Sequence, residues 1–185
     1  MDDPRSRIHP LLRQGEELLW DGQPDPKVRF TGADAFLIPF SILWGGFAVF
    51  WELSAIRMAA QPFFVLWGVP FVLLGLYFIF GRFIVKGRRK RITAYGLTDR
   101  RAIVRVGDRT VVDSPLGTVP TKIDRSRDGR HANVVFGQQG LMGVVGMYQN
   151  TGLDFMGLGM GQAVAFYDVA DPGDLLRALD HVGVR

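Results

Sequence analysis

Basic side chains are concentrated in one short segment near the middle of the chain. Six of the ten residues 82–91 are basic, and two more arginines follow at positions 100 and 101. Clustered guanidinium and ammonium groups attract anions, and each such residue close to an anionic lipid surface contributes about 1 kcal/mol to binding. We therefore expect a binding site for anionic lipid or for a protein partner, formed by Lys86, Arg88, Arg89, Lys90, Arg91, Arg100 and Arg101.

The same basic segment has a second interpretation. Lysine and arginine accumulate on the cytoplasmic side of membrane helices, so the segment fixes topology even if it binds nothing. The two interpretations are compatible and both stay open. Nucleic acid is not an expected partner, because the basic residues adjoin an apolar span and aromatic residues are not interleaved with them for stacking on bases.

Few other residues have the spacing that catalysis or metal binding needs. The chain has no cysteine, which excludes disulfides, thiolate metal sites and a cysteine nucleophile. Its three histidines are far apart in sequence, so we expect no metal and no cofactor. Carboxylates at Asp154, Asp168 and Asp171 are the material for an enzyme, but no nucleophile or paired-acid motif accompanies them. The sequence therefore favours a protein that is not an enzyme, with a membrane enzyme as the weaker alternative.

Two apolar segments must position the basic cluster. Phe36–Gly81 contains 46 residues and only two charges, Glu52 and Arg57. About 20 apolar residues cross a bilayer as a helix. We predict a cytoplasmic segment over 1–35, transmembrane helices over 36–56 and 63–82, and an extracytoplasmic loop over 57–62. Because the basic segment follows the second helix, both termini should be cytoplasmic in a multi-pass protein of the cell membrane.

Three residues within the first apolar segment leave alternatives open. Glu52 is either a proton or ion site, or a carboxylate near the helix end that reaches the outer surface beside Arg57. Gly45 and Gly46 permit close approach of another helix in lipid. The hairpin therefore has a second candidate role, as a subunit of a membrane assembly that includes homo-oligomers.

The tail over 83–185 has the pattern of a small β domain. Short alternating strands are predicted at 91–97, 102–106, 110–112, 118–123, 132–136 and 162–167. A final amphipathic helix is predicted to start at Pro172, with Asp171 as its N-cap, and to pack on the strands. Residues 137–161 form a Gly- and Met-rich insert, interpreted as a long loop or as a surface for lipid or a partner. Whether residues 16–31 join this domain stays open.

Several motifs resemble those of the small bacterial two-helix membrane proteins that have a pleckstrin-homology-like domain. They are Gly15–Pro24 (GEELLWDGQP), Thr93–Ile103 (TAYGLTDRRAI), the closing Ala165–Asp168 (AFYD) and the helix around Leu175–Leu179. The resemblance implies a seven-stranded, strongly bent sheet closed by a C-terminal helix on the cytoplasmic face. It implies no catalytic residues.

These observations combine into one prediction. The fold class is an α+β membrane protein, in which a transmembrane helical hairpin precedes a mostly antiparallel β barrel of the pleckstrin-homology type, closed by a C-terminal helix. The expected function is a non-catalytic, membrane-anchored binding or scaffold module that docks on anionic lipid or a protein partner.

Overall fold

The computed structural model describes residues 3–27, 34–118, 120–126, 128–137 and 164–184. These residues divide into two compact units. The β unit contains residues 3–27, 87–137 and 164–184, and the helical unit contains residues 34–86. Both the Asp154 carboxylate and nearly all of the Gly- and Met-rich insert lie outside the described residues.

Two long apolar helices dominate the helical unit. The helices are α2 (Asp34–Arg57) and α3 (Pro62–Leu76), and a π-helical turn over Tyr77–Gly81 leads from α3 into α4 (Arg82–Ile92). By length and composition both α2 and the continuous helical stretch Pro62–Ile92 are sufficient to cross a membrane. Their outward surfaces are rich in exposed phenylalanine, leucine, isoleucine and tryptophan.

Small residues let α2 and α3 approach each other. A Cβ added to Gly75 would lie 2.9 Å from the Cα of Gly45, so the two backbones are in contact there. Gly46, the next residue along, has open space around it among the described residues. In apolar surroundings the hydrophobic effect does not drive apolar helices together. Such helices instead associate through van der Waals contact, and small residues allow their backbones to approach closely. Gly45 therefore serves the hairpin itself, and assembly through Gly46 stays a prediction.

Glu52 also faces the opposite helix. A Cβ added to Gly68 would lie 1.8 Å from Glu52 Oε2, so the carboxylate lies directly on the glycine of α3. That oxygen is buried and has no hydrogen-bond partner among the described residues. The structure thus places the carboxylate at the helix contact instead of beside Arg57.

Within the described residues of the β unit, seven antiparallel strands form two sheets. The first sheet contains, in spatial order, β1 (Leu18–Gly22), β2 (Thr93–Thr98), β3 (Arg101–Val106) and β4 (Thr110–Pro115). The second contains β5 (Thr121–Arg125), β6 (His131–Phe136) and β7 (Val164–Ala170). A single bridge between Pro24 and Val169 links the two, and the described strands do not close into a barrel.

The N-terminal segment belongs to the first sheet, which answers the question that the sequence left open for its described part. β1 pairs with β2 in antiparallel register, Leu18 opposite Thr98 and Gly22 opposite Tyr95. The β unit is therefore discontinuous in sequence, because both apolar helices lie between two neighbouring strands. All five residues of β1 are half-buried, so the strand has no alternation of buried and exposed positions. An alternating sequence pattern, the usual signal of a strand, is therefore missing here.

One hydrophobic core joins the sheets to the last helix. Phe166 of β7 lies with its ring centroid 4.8 Å from Tyr95 and 5.0 Å from Phe136. Leu175 and Leu179 of α5 (Gly173–His181) are fully buried against them. The expected helix therefore exists, but it begins at Gly173. The prediction that Asp171 caps it is wrong, because the capping position is Pro172 and Asp171 adopts a positive φ of 47°.

The opposite face of β2 is covered by a short helix that the sequence analysis did not predict. Helix α1 (Pro4–Ile8) places Ile8 against Ala94 and Ile103 in a second apolar cluster. A Cβ added to Gly96 would lie 2.5 Å from Ile8 Cγ2, so glycine is what allows this contact. Because both faces of β2 are covered, all six of its residues are buried.

Candidate functional site

Helix α4 presents arginines to solvent along one part of its surface. Arg88, Arg89 and Arg91 are exposed, and all three belong to the β unit. The helix continues to Ile92, so the strand predicted from Arg91 starts only at Thr93. Arg88 and Arg91 are three residues apart and are therefore neighbours on the helix surface, and Arg89 follows Arg88 directly.

Lys90 points the other way and is 4% exposed. Its ammonium lies 2.6 Å from Asp168 Oδ2 and donates a second hydrogen bond, 2.9 Å long, to the carbonyl of Lys27. The basic helix is therefore attached to β7 and to the segment after β1 through Lys90. Of the predicted site residues, this one holds the β unit together and is not available to a ligand.

Backbone geometry positions the partner of Lys90. Asp168 has a positive φ of 52°, at an irregularity in the register between β6 and β7. Its amide donates to Asn133 Oδ1 at 2.7 Å, and its carbonyl accepts from the amide of Asp25 at 2.9 Å. Of the three carboxylates that the enzyme alternative named, Asp168 is thus engaged in a structural ion pair.

Asp25 belongs to the same polar cluster. Its Oδ2 lies 3.1 Å from His131 Nε2. Burial opposes ionisation, yet hydrogen bonds from the Lys27 amide and from His131 leave the pKa of Asp25 below its ordinary value. The segment that follows β1 is therefore held by polar contacts on two sides.

The second arginine pair separates into one exposed and one buried residue. Arg100 is exposed, and its Nη2 donates to the carbonyl of Gly15 at 3.1 Å. Arg101 is 7% exposed, and its Nε and Nη2 donate to the two carboxylate oxygens of Glu16 at 2.8 and 3.0 Å. Its Nη1 lies 3.1 Å from Asp113. A two-point arginine–carboxylate pair of this kind has defined geometry.

Thr98 completes this network. Its hydroxyl donates to Glu16 Oε1 at 2.8 Å and accepts from the amides of Arg100 and Arg101 at 3.2 and 2.9 Å. The residue thus stabilises the turn between β2 and β3, as a threonine at a hairpin turn is expected to do. Glu16, Thr98 and Arg101 are therefore a structural unit that ties the N-terminal segment to the β2–β3 hairpin.

The network alters the ionisation of both charged partners. The hydrogen bond from Arg101 is the largest influence on Glu16 and lowers the pKa of its carboxyl from 4.5 to about 2, although burial acts against this. The same contact raises the pKa of Arg101. Both groups are ionised at neutral pH.

Lys86 belongs to a different cluster in the helical unit. It is 3% exposed, and its Nζ lies 3.8 Å from Asp34 Oδ2 at the start of α2. Arg82, at 1% exposed, donates from Nη1 to Asp34 Oδ1 at 2.6 Å. Its guanidinium lies over the ring of Phe83 at 4.3 Å, while its Nε and Nη2 have no hydrogen-bond partner among the described residues.

The seven predicted site residues are thus not one surface. Arg88, Arg89 and Arg91 share the exposed part of α4, Arg100 is exposed at the β2–β3 turn, and Lys86, Lys90 and Arg101 are buried in ion pairs. Asp34 as a partner of the basic residues and Arg82 as a site residue were not predicted from the sequence. One signal was available: in an antiparallel hairpin, an acid at the start of the first span lies opposite a base at the end of the second.

The remaining chemistry is sparse. No group of three or more histidine, aspartate or glutamate side chains is arranged to hold a metal ion within the described residues. A comparison of the chain with protein-family models, with curated proteins and with solved structures yields no match. The assignment of function therefore depends on the geometry of this chain alone.

Proposed function

We propose that the protein is a membrane-anchored, non-catalytic binding module, in which the helical hairpin crosses the membrane and the β unit docks on its anionic cytoplasmic surface. The observation that carries the proposal is the division of labour within α4. Lys90 fixes the helix to the β unit by a buried ion pair, while Arg88, Arg89 and Arg91 stay exposed directly after the apolar segment. Three such residues contribute roughly 3 kcal/mol at an anionic surface.

Strand pairing supports the topology. β1 precedes the hairpin and β2 follows it, and the two are hydrogen-bonded neighbours. Two paired strands must be on the same side of a membrane, so the segment between them must cross an even number of times. Two crossings by α2 and the Pro62–Ile92 stretch satisfy this requirement. The basic residues after the second crossing favour the cytoplasm for this side.

The strand arrangement supports a pleckstrin-homology-like β unit. Seven antiparallel strands within the described residues and a C-terminal helix on a shared core are features that the resemblance implies, although these strands form two sheets and not one bent sheet. Folds of this kind serve many binding roles, so the fold alone does not select the ligand. Lipid is favoured here because the exposed arginines directly follow the apolar segment in sequence.

The test uses the full chain, because a fragment starting near residue 88 would lack β1 and Glu16. The absence of cysteine allows a single spin label to be attached through Arg109→Cys. Arg109 is exposed in the turn beside α4, where the amide of Gly107 donates to the carbonyl of Ile92 at 2.8 Å. In vesicles, collision of the label with a lipid-bound relaxation agent reports its distance from the bilayer.

We expect more collisions in vesicles containing phosphatidylglycerol than in pure phosphatidylcholine, with the difference fading at high salt. Joint substitution of Arg88, Arg89 and Arg91 by glutamine should remove the difference. A matched control replaces three exposed arginines elsewhere in the β unit, Arg125, Arg130 and Arg177, and should keep it. Equal collisions in both lipids for the unsubstituted chain would refute docking.

A further inference from the structure

We propose a second lipid site, within the helical unit, where the guanidinium of Arg82 binds the phosphate of one anionic phospholipid and an acyl chain lies along α2. The inference deepens the proposed function and depends on one part of it, the insertion of the hairpin in a membrane. It does not depend on docking of the β unit.

The state of Arg82 is the first observation. A guanidinium carries five N–H donors and is always charged. Here Nη1 donates to Asp34, and Nε and Nη2 have no partner among the described residues, although the side chain is 1% exposed. Buried polar groups in proteins almost always have a hydrogen-bond partner. The two nitrogens form one edge of the planar fork, and that edge matches two oxygens of a phosphate.

The second observation is the groove that Arg82 lines. It has a volume of about 460 Å³, and its other walls are mostly apolar, with Ile38, Ile42, Phe78 and Ile79 among them. Sites for small ligands are typically about 300–1,000 Å³ and combine apolar walls with a few polar groups. One buried cation at an apolar groove suits an amphiphile with a single anionic head.

Local charge and position favour a phospholipid. Asp34 contacts two bases, Arg82 at 2.6 Å and Lys86 at 3.8 Å, so one carboxylate is shared by two buried cations. Arg82 directly follows the apolar segment, which is where headgroups begin if the hairpin crosses a membrane. Inorganic phosphate would satisfy the guanidinium but would leave the apolar walls uncovered.

The test is native mass spectrometry of the full chain, released from detergent after incubation with equal amounts of phosphatidylglycerol and phosphatidylcholine. We expect the unsubstituted chain to retain one phosphatidylglycerol in preference to phosphatidylcholine. Arg82→Gln should lower this retention about tenfold, since a charge-assisted contact is lost. Arg57→Gln, which removes an exposed arginine from the other end of the hairpin, is the matched control and should retain the lipid.

A second variant keeps the test decisive if Arg82→Gln does not fold. Ile42→Trp fills the groove from its exposed wall without changing charge, and it should also reduce retention. Inorganic phosphate added in excess should not displace the lipid, and displacement would indicate a plain anion site. Equal retention by Ile42→Trp, Arg82→Gln and the control would overturn the proposal.

The same measurement separates this site from the docking surface. The variant with glutamine at positions 88, 89 and 91 should retain the phospholipid even where it has lost docking. Retention without docking refutes only the proposed function of the β unit. Docking without retention refutes only the site at Arg82.

Discussion

Arg101 of the β unit and Arg82 of the helical unit are both buried, but their surroundings use them differently. Arg101 meets both oxygens of Glu16, the carbonyl of Leu11 and Asp113. Arg82 meets one oxygen of Asp34, and two of its three guanidinium nitrogens have no partner among the described residues. The first arginine closes a network that joins three segments of chain, whereas the second lines a groove and has two nitrogens without a hydrogen-bond partner among the described residues.

This difference suggests how to recognise a binding charge from the structure of a single chain. A buried arginine whose donors are all occupied contributes to stability and specificity of the fold. A buried arginine with unoccupied donors at a cavity has hydrogen-bonding groups that the fold itself does not use and that a ligand can occupy. Exposure alone would not have separated the two residues, since both are almost fully buried.

The largest expected loss of stability comes from breaking the network of Glu16, Thr98 and Arg101. Arg101→Met leaves the Glu16 carboxylate buried without its cation, and removing one partner of a buried pair costs about 3–5 kcal/mol. Hydrogen exchange of the β2 and β3 amides in the full chain measures the loss as a lower free energy of opening. The neighbouring Arg100→Met is the control and should change it by less than about 0.5 kcal/mol.

A double substitution sharpens this result. Glu16→Leu together with Arg101→Met removes both charges, so much of the loss should be recovered. If the double variant is as unstable as the sum of the two single variants, the pair does not act as a coupled unit.

Acid should open the same network without any mutation. The pKa of Glu16 is about 2 in the folded chain and 4.5 ordinarily, so the folded form binds the proton less tightly. Its stabilisation, about 3 kcal/mol, is fully present above the ordinary pKa and is lost as pH falls towards the folded pKa.

Incubation across that pH window, followed by exchange labelling at one fixed pH, measures the effect on β2. Glu16→Gln removes the titrating group, and its β2 amides should show a much weaker dependence on pH. A variant that follows the same pH curve as the unsubstituted chain would assign the acid sensitivity to other carboxylates.

The smallest loss of stability is expected at the ion pair between Asp34 and Arg82. Asp34→Asn removes the carboxylate charge that Arg82 and Lys86 share but keeps an amide oxygen that can accept a hydrogen bond, so it should destabilise the helical unit by about 1–3 kcal/mol in detergent. Added phosphatidylglycerol should restore more thermal stability to this variant than to the unsubstituted chain, because the lipid phosphate replaces the carboxylate. Melting followed by circular dichroism, with phosphatidylcholine as the control lipid, measures this difference. An equal gain from both lipids would remove the distinction between the two arginines.

The elements with strong local patterns were predictable from sequence. The two apolar helices, the strand over His131–Phe136 and the last helix follow from composition and spacing. The turn role of Thr98 also follows, because a threonine hydroxyl at a hairpin turn bonds nearby amides. Local physics is sufficient where an element is long or strongly periodic.

Features that depend on partners distant in sequence were not predictable. β1 has no alternating pattern and exists because β2 supplies its hydrogen bonds. Lys90 and Arg88 are equivalent in sequence, yet one is buried against Asp168 and the other is exposed. The acid that decides this lies 78 residues away, so no count of charges in the basic segment would identify it.

The pairing of β1 with β2 also imposes an order of events during biosynthesis. Trp20 pairs with Leu97, so the first strand leaves the ribosome before its partner has been translated. At roughly 5–20 residues per second, the delay is on the order of 4–15 s. Throughout this interval β2, β3 and β4 do not yet exist, and Glu16 has no Arg101 with which to form an ion pair. The first sheet can therefore form only after both apolar helices have been made. Its first strand, which precedes the hairpin, then pairs with the strand that follows the hairpin.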